Sequence, residues 1–296
     1  MKNVMTIDVE DYFHVASLSN ELKPDSWDKI APRVQNNTQR ILDIFDQYNV
    51  KATFFVLGLV ANKFPDLVKE IDRRGHEVAS HGYSHQLIYN QSYKEFKDET
   101  KKSKSILEQI IGKSVVGYRA ASYSITEKSL WALDILADLE FKYDSSIYPV
   151  THDVYGISGS PTEPHFLTTP NGSALFEFPP STYKILNYQL PVAGGGYFRL
   201  YPYWLTRYFF KSINKRSNVF AFYLHPWEID PDQPRVNTNA LSKFRHYNNL
   251  EKCEARLINL LQDFEFTSMD HKIKEIDCLS GINKAVVSYQ NFKALS

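Results

Sequence analysis

The 296-residue chain carries 34 Lys plus Arg against 34 Asp plus Glu, so it is formally neutral at pH 7. Neutrality removes the cationic excess from which a nucleic-acid binder draws its affinity, and 43% hydrophobic with 23% charged residues is far from the composition of a disordered chain. The length suits one large α/β barrel or two smaller domains. Aromatic residues make up 14% of the chain, enough both to fill a core and to stack against flat ligands.

Val4–Ile7 reads as a short apolar strand that runs into acids. A helix is predicted over Arg33–Tyr48 from apolar Val34, Ile41, Leu42 and Phe45, then a buried strand over Ala52–Leu57. Leu59–Arg74 reads as helix, with Pro65 starting a new segment and Gly75 stopping it. Glu77–Ser80 is a third strand, Tyr93–Ile111 a charged surface helix closed by Gly112, and Val115–Tyr118 a fourth strand. A helix over Glu127–Leu139 and a strand over Phe141–Tyr143 continue the series. From about 147 to 202 prolines and glycines break the pattern into a long irregular insertion, with one strand at Leu175–Phe178. Alternation returns with a strand at Val219–Leu224, a helix over Leu250–Phe264, a strand at Phe264–Met269 and a helical extension after about 270. Repeated strand-then-helix units imply parallel strands with crossover helices, best arranged as a barrel. A single domain over residues 1–296 is expected.

Cys253 and Cys278 show neither metal spacing nor a disulfide framework, which favours reduced thiols. The first residues lack the apolar core of a signal peptide, and the most apolar stretch, Ala52–Ala61, is well short of the ~20 residues of a membrane span. These features predict a cytoplasmic protein without an integral membrane segment, at most peripheral at the inner face of the membrane.

In a parallel barrel, functional groups collect where strands end. Those positions hold Asp8, Glu10 and Asp11, then His81 and His85, Arg119, Asp144 and His225. Two histidines four residues apart point the same way and reach one ion at ~2.0–2.1 Å. A carboxylate from the end of the first strand would complete a three-ligand site with an open position, as catalytic metal sites have. Three carboxylates within four residues repel one another unless a cation or donors offset the repulsion, and by the period of two Asp8 and Glu10 share a face. One would ligate and the other would act as base on a water whose pKa the metal lowers. His225 is the candidate acid for a leaving group, and Arg119 would orient Asp8.

The motifs TIDVED (Thr6–Asp11), SHGYSH (Ser80–His85), YRAASYS (Tyr118–Ser124), YDSSIYP (Tyr143–Pro149) and YLHPWE (Tyr223–Glu228) occur in order. On them the chain resembles the NodB-like polysaccharide deacetylases of carbohydrate-esterase family 4, whose fold is a distorted (β/α)7 barrel. The resemblance implies Asp8 as catalytic base, His225 as acid, Arg119 as partner of the base, and His81 and His85 as ligands of a divalent metal, zinc first, with cobalt, nickel or manganese as alternatives. Val9 stands where many members have a second aspartate. The DxE pattern is similar to that of peptidoglycan deacetylases and of cofactor-free allantoinase relatives, so Glu10 is the first choice of third ligand and Asp11 the second. Ala121 replaces a usual proline.

HPWEIDPDQPR and AGGGYFRLYP look like the branch from exopolysaccharide-biosynthesis loci. The expected substrate groove contains Asp144, Tyr123, Gly195, Tyr197, Arg199 and Trp227. The expected activity is removal of N-acetyl groups from an N-acetylhexosamine-containing glycan or lipid-linked saccharide, and a homo-oligomer is compatible with the sequence. Hydrolysis of a cyclic ureide, imide or O-acetyl ester is the alternative on the same fold. A non-catalytic glycan-binding protein ranks third, because base and acid are both present.

Overall fold

The computed structural model describes residues 1–279 and 286–288. Its strands are β1 (Asn3–Val9), β2 (Thr53–Val56), β3 (Glu77–Ser80), β4 (Gly117–Tyr118), β5 (Tyr143–Asp144), β6 (His165–Thr168), β7 (Ala174–Glu177), β8 (Thr182–Ile185), β9 (Tyr188–Pro191), β10 (Ala221–Leu224), β11 (Phe266–Thr267) and β12 (Val286–Ser288). The α-helices are α1 (Val34–Gln47), α2 (Gly58–Lys63), α3 (Pro65–Arg73), α4 (Tyr93–Ile111), α5 (Ala132–Asp138), α6 (Gly195–Leu200), α7 (Tyr203–Lys215), α8 (Ala240–Tyr247), α9 (Leu250–Asp263) and α10 (Met269–Leu279).

The main sheet runs β10-β1-β2-β3-β4-β5-β7-β6-β12, with β11 also on β1. The strands from β10 to β7 are mutually parallel, and they curl into a (β/α)7 half-barrel. β1 lies between β10 and β2. All seven of its residues are buried, which is why Val4–Ile7 reads as an unbroken apolar run rather than an alternating one. The helices pack their apolar stripes outside it: α1 buries Val34, Ile41, Leu42 and Phe45 as its spacing predicts. Pro65 occupies the first turn of α3. Ser92 and Glu95 cap α4 reciprocally.

Two expectations are corrected. The stretch from 147 to 202 is not irregular throughout: β6 and β7 form an antiparallel pair that extends the main sheet, and β8 and β9 form a separate hairpin. These strands are four residues each, too short for an alternation of two to stand out. The helix expected from Glu127 begins only at Ala132, because the Ser129 hydroxyl bonds to the backbone of Ser124 and Thr126 and holds the approach as turns. Cys253 is buried as a free thiol; the side chain of Cys278 lies outside the described residues.

Between β7 and β10 no strand completes the barrel among the described residues. The seam is crossed by two contacts: the Ala221 amide donates to Ser181 Oγ at 2.8 Å, and the Tyr223 amide donates to the Ala193 carbonyl at 2.8 Å. Gly194 then passes so close that an added Cβ would sit 1.9 Å from the Tyr223 carbonyl oxygen, with φ at +145°. The glycine run is thus a backbone-packing device of the seam.

Candidate active site

Every strand-end residue singled out above except Asp11 and Asp144 meets at the C-terminal mouth of the half-barrel. Glu10, His81 and His85 each offer a ligand atom, and these atoms lie within 4.8 Å of one another. His81 Nδ1 is 2.9 Å from the Arg119 carbonyl. A carbonyl only accepts, so Nδ1 carries the proton and Nε2 keeps a free lone pair, the tautomer a metal ligand requires. His85 Nε2 approaches Glu10 Oε2 to 2.6 Å. Burial by itself would raise the Glu10 carboxyl, but His85, His225 and His81 hold it well below its ordinary value. Burial pushes His81 down to about 4, against the opposing pull of Asp8. A carboxylate beside two imidazoles is a donor set that fits a borderline divalent ion.

Asp11, the second choice as ligand, is not in this cluster. Its Oδ2 accepts the amides of Arg33 at 2.6 Å and Val34 at 2.8 Å, and its Oδ1 that of Tyr12. It ties the first motif to the start of α1. Burial raises it to about 6 in spite of these bonds.

Asp8 is buried beside the cluster. Arg119 Nη1 donates to Asp8 Oδ1 and to Thr6 Oγ1, both at 2.7 Å, and Nη2 donates to Ser145 Oγ at 2.9 Å. The guanidinium also sits 4.1 Å over the Phe55 ring. It is therefore fixed on three sides, leaving Asp8 Oδ2 facing His225 Nε2 at 3.9 Å.

His225 follows β10. Its Nε2 lies 3.6 Å from Glu10 Oε1, while Nδ1 is 2.9 Å from Glu228 Oε2. Glu228 in turn accepts from Arg199 Nε at 2.6 Å. Burial opposes a charged imidazole here, but the Glu228 hydrogen bond together with Glu10, Glu228 and Asp8 raises His225 to about 9. Its ring stacks on Trp227 at 5.3 Å, and Trp227 also stacks with His246 at 4.4 Å and lies under the Arg199 guanidinium at 5.2 Å.

Five of the six expected groove residues are corrected. Asp144 is completely buried and shares a hydrogen bond with Glu177, so it meets no ligand. Arg199 is buried, with Nη1 bonded to the carbonyls of His246 and Asn248 and Nη2 to that of Arg245. It is an anchor for Glu228 and the turn beyond α8. Trp227 is buried, its faces are occupied by two imidazoles, and its Nε1 donates to Glu10 at 3.3 Å. Tyr123 is buried among Tyr148, Tyr155 and Tyr223. Gly195 lies against the Tyr223 ring. Tyr197 alone of the six is on an open wall: with Tyr155, Tyr223, Leu241 and Phe244 it lines a cavity of about 320 Å³ next to the site.

Positive φ angles cluster here, at His85 (57°), Ser122 (50°) and Tyr123 (53°). Non-glycine residues in this region are strained, and such strain gathers at functional sites. The sequence reading missed Glu228 as the partner of His225, although the signal was in HPWE: an acid three residues after the imidazole reaches back to it. It also missed His14, whose Nδ1 accepts the Asp11 amide at 2.9 Å and whose ring lies 6.3 Å from that of His85, and Glu177, which is buried under β5.

The fold and this cluster define an α/β half-barrel with a carboxylate–imidazole site, fit for a metal, at the ends of its parallel strands. Residues 25–143 match the polysaccharide deacetylase family, and residues 145–274 match a domain of unknown function, DUF3473. A peptidoglycan-N-acetylglucosamine deacetylase of Bacillus cereus is 39% identical over 98 residues, 33% of this chain and 36% of that one. A peptidoglycan deacetylase of Helicobacter pylori is 31% identical over 133 residues, 45% of this chain and 44% of that one. The chain thus spans less than half the length of these curated relatives. A Mycobacterium smegmatis structure assigned by inference to the polysaccharide deacetylases superposes with a TM-score of 0.60 at 17% identity, over 95% of this chain and 92% of that one, a likeness of fold. The likeness to polysaccharide deacetylases thus rests on residues 25–143 and on the shared fold.

Proposed function

We propose that the protein is a metal-dependent hydrolase that removes the N-acetyl group from an N-acetylhexosamine unit of a glycan or lipid-linked saccharide. The observation that carries the reading is the convergence of Glu10, His81 and His85 within 4.8 Å with the Asp8–Arg119 pair and His225 Nε2 on the same side. Glu10, His81 and His85 would hold a divalent ion, zinc by the nature of the donors. When bound, such an ion polarises the amide carbonyl and lowers the pKa of a coordinated water.

Asp8 takes the proton of the attacking water through Oδ2, since Oδ1 is engaged by Arg119 at 2.7 Å. Arg119 holds this carboxylate in orientation. His225 is held with Nδ1–H on Glu228 and Nε2 toward the site, and its raised affinity for a proton keeps it charged at neutral pH. It donates that proton to the departing amine, which leaves acetate behind. Tyr197 and Tyr155, on the wall of the adjoining cavity, offer a face and hydroxyls to the neighbouring sugar.

The test is acetate release from N-acetylglucosamine oligomers and from lipid-linked saccharides, with a cyclic ureide and an O-acetyl sugar assayed in parallel. His81→Ala and Asp8→Asn abolish release while circular dichroism stays unchanged. Full activity in both variants, or turnover of the ureide alone, overturns the proposal.

A further inference from the structure

The fifty residues from Phe178 to Trp227 contain no aspartate or glutamate, but six lysines and arginines, in a chain whose charges balance overall. Much of this acid-free stretch is on one surface away from the site. It comprises the β8–β9 hairpin and α7. The hairpin tip exposes Leu186 (84%) and Tyr188 (74%), flanked by Ile185 and Lys184. On α7, Trp204, Tyr208, Lys211 and Lys215 are exposed. Their spacing of i, i+4, i+7 and i+11 puts them on one stripe, with Trp204 the most exposed at 69%. Tyr183 joins the two elements: its ring is 6.1 Å from Tyr208 and 4.7 Å from Phe209, and its hydroxyl is 3.3 Å from Ser212 Oγ.

We propose that this surface docks on an anionic lipid bilayer, with the hairpin tip and Trp204 entering the headgroup region and the lysines facing lipid phosphates. Indole and phenol rings with an apolar body and a polar edge favour that boundary, and lysines beside an apolar stripe draw a protein to anionic lipid. The charges are free for this role. Among the described residues no ion pair engages Lys184, Lys211 or Lys215, whereas the acid that meets α7, Asp263, is already held by Arg207 and Tyr203. A cavity of about 510 Å³ opens beneath the hairpin with Lys184 and Arg216 on its wall; its acids, Glu163 and Glu275, bond to Asn218 and Lys272. A second copy of the chain is a poorer occupant. A two-fold contact would set lysine against lysine.

The experiment is flotation of the full chain with vesicles of phosphatidylcholine, pure or with about a third phosphatidylglycerol, at low and at high salt. The expected result is flotation with the anionic vesicles alone, loss at high salt, and a blue shift of indole fluorescence that Trp204→Phe removes. Lys211→Gln and Lys215→Gln each weaken binding roughly fivefold, and Leu186→Asp weakens it further. No flotation at low salt, equal flotation with both vesicles, or variants that bind as the parent does would overturn the proposal. So would a dimer that Leu186→Asp dissociates in the absence of any lipid binding. The outcome is independent of the proposed activity: all four variants are expected to release acetate from a soluble oligosaccharide at the parent rate, so a catalytic failure and a docking failure are separate readings.

Discussion

The two halves of the chain build the site in different ways. In the first 144 residues the functional side chains are set by the backbone: Asp8 and Glu10 end β1, His81 and Arg119 follow β3 and β4 directly, and the His81 tautomer is fixed by a main-chain carbonyl. Beyond residue 145, His225 depends on a relay of side chains in which Arg199 holds Glu228 and Glu228 holds the imidazole. Backbone placement is shared by every residue of a strand, whereas a buried ion pair fails when one partner is lost. Loss of Arg199 or Glu228 should therefore unseat His225, as loss of Arg119 would unseat Asp8, and should disturb the proton donor rather than the metal ligands.

The widest separation between the halves is expected from their histidines. His81→Ala strips the metal and with it the activity, while His225→Ala retains metal and lowers kcat by ~10²–10⁴-fold; metal analysis beside acetate release reads both, and equal metal loss would erase the division. Next comes Arg199→Met, which leaves the Glu228 carboxylate buried without its partner and destabilises the fold by about 3–5 kcal/mol. Chemical denaturation measures it, and a raised KM with unchanged stability would return Arg199 to the substrate. Gly194→Ala drives a Cβ into the Tyr223 carbonyl and should lower stability by about 1–3 kcal/mol, again with metal retained.

The smallest effect concerns the buried Asp144–Glu177 pair, where the halves meet. Burial and mutual repulsion raise Glu177 well above its ordinary value, and burial raises Asp144 to about 6. A carboxyl with a raised folded-state pKa binds more protons folded than unfolded, so stability falls as pH climbs from the unfolded value near 4.5 through the folded one. Glu177→Gln keeps a donor toward Asp144 and should flatten that decline. Denaturation midpoints across the range show it.

The two halves were also unequally legible. Asp8, His81, His85, Arg119 and His225 were readable because each follows an apolar strand in a parallel pattern, and strand ends of such a pattern converge. Glu10 was ranked above Asp11 through the DxE resemblance alone; what separates them physically is that backbone amides at the start of α1, more than twenty residues on, claim the Asp11 carboxylate. Arg199 and Trp227 were misread for a related reason. An arginine or tryptophan near a site looks the same in sequence whether it faces ligand or supports a neighbour. Burial decides between these, and it depends on chain that packs from far away, here the turn between α8 and α9. The strands β8 and β9 and the helix α7 went unread because short strands and an aromatic-rich helix carry little periodicity.

The seam beside β10 bears on motion. On one edge that strand has a full ladder to β1; on the other it hangs from the Ser181 hydroxyl and the Ala193 carbonyl. A strand held so unevenly opens as a hinge rather than by sliding, with the β1 side as axis. His225 is at its end, so small openings of the seam swing the proton donor across the mouth while the groups on β1, β3 and β4 stay still. The barrel's incompleteness would then act as a bearing, letting one half of the site admit a bulky chain and return to a fixed counterpart.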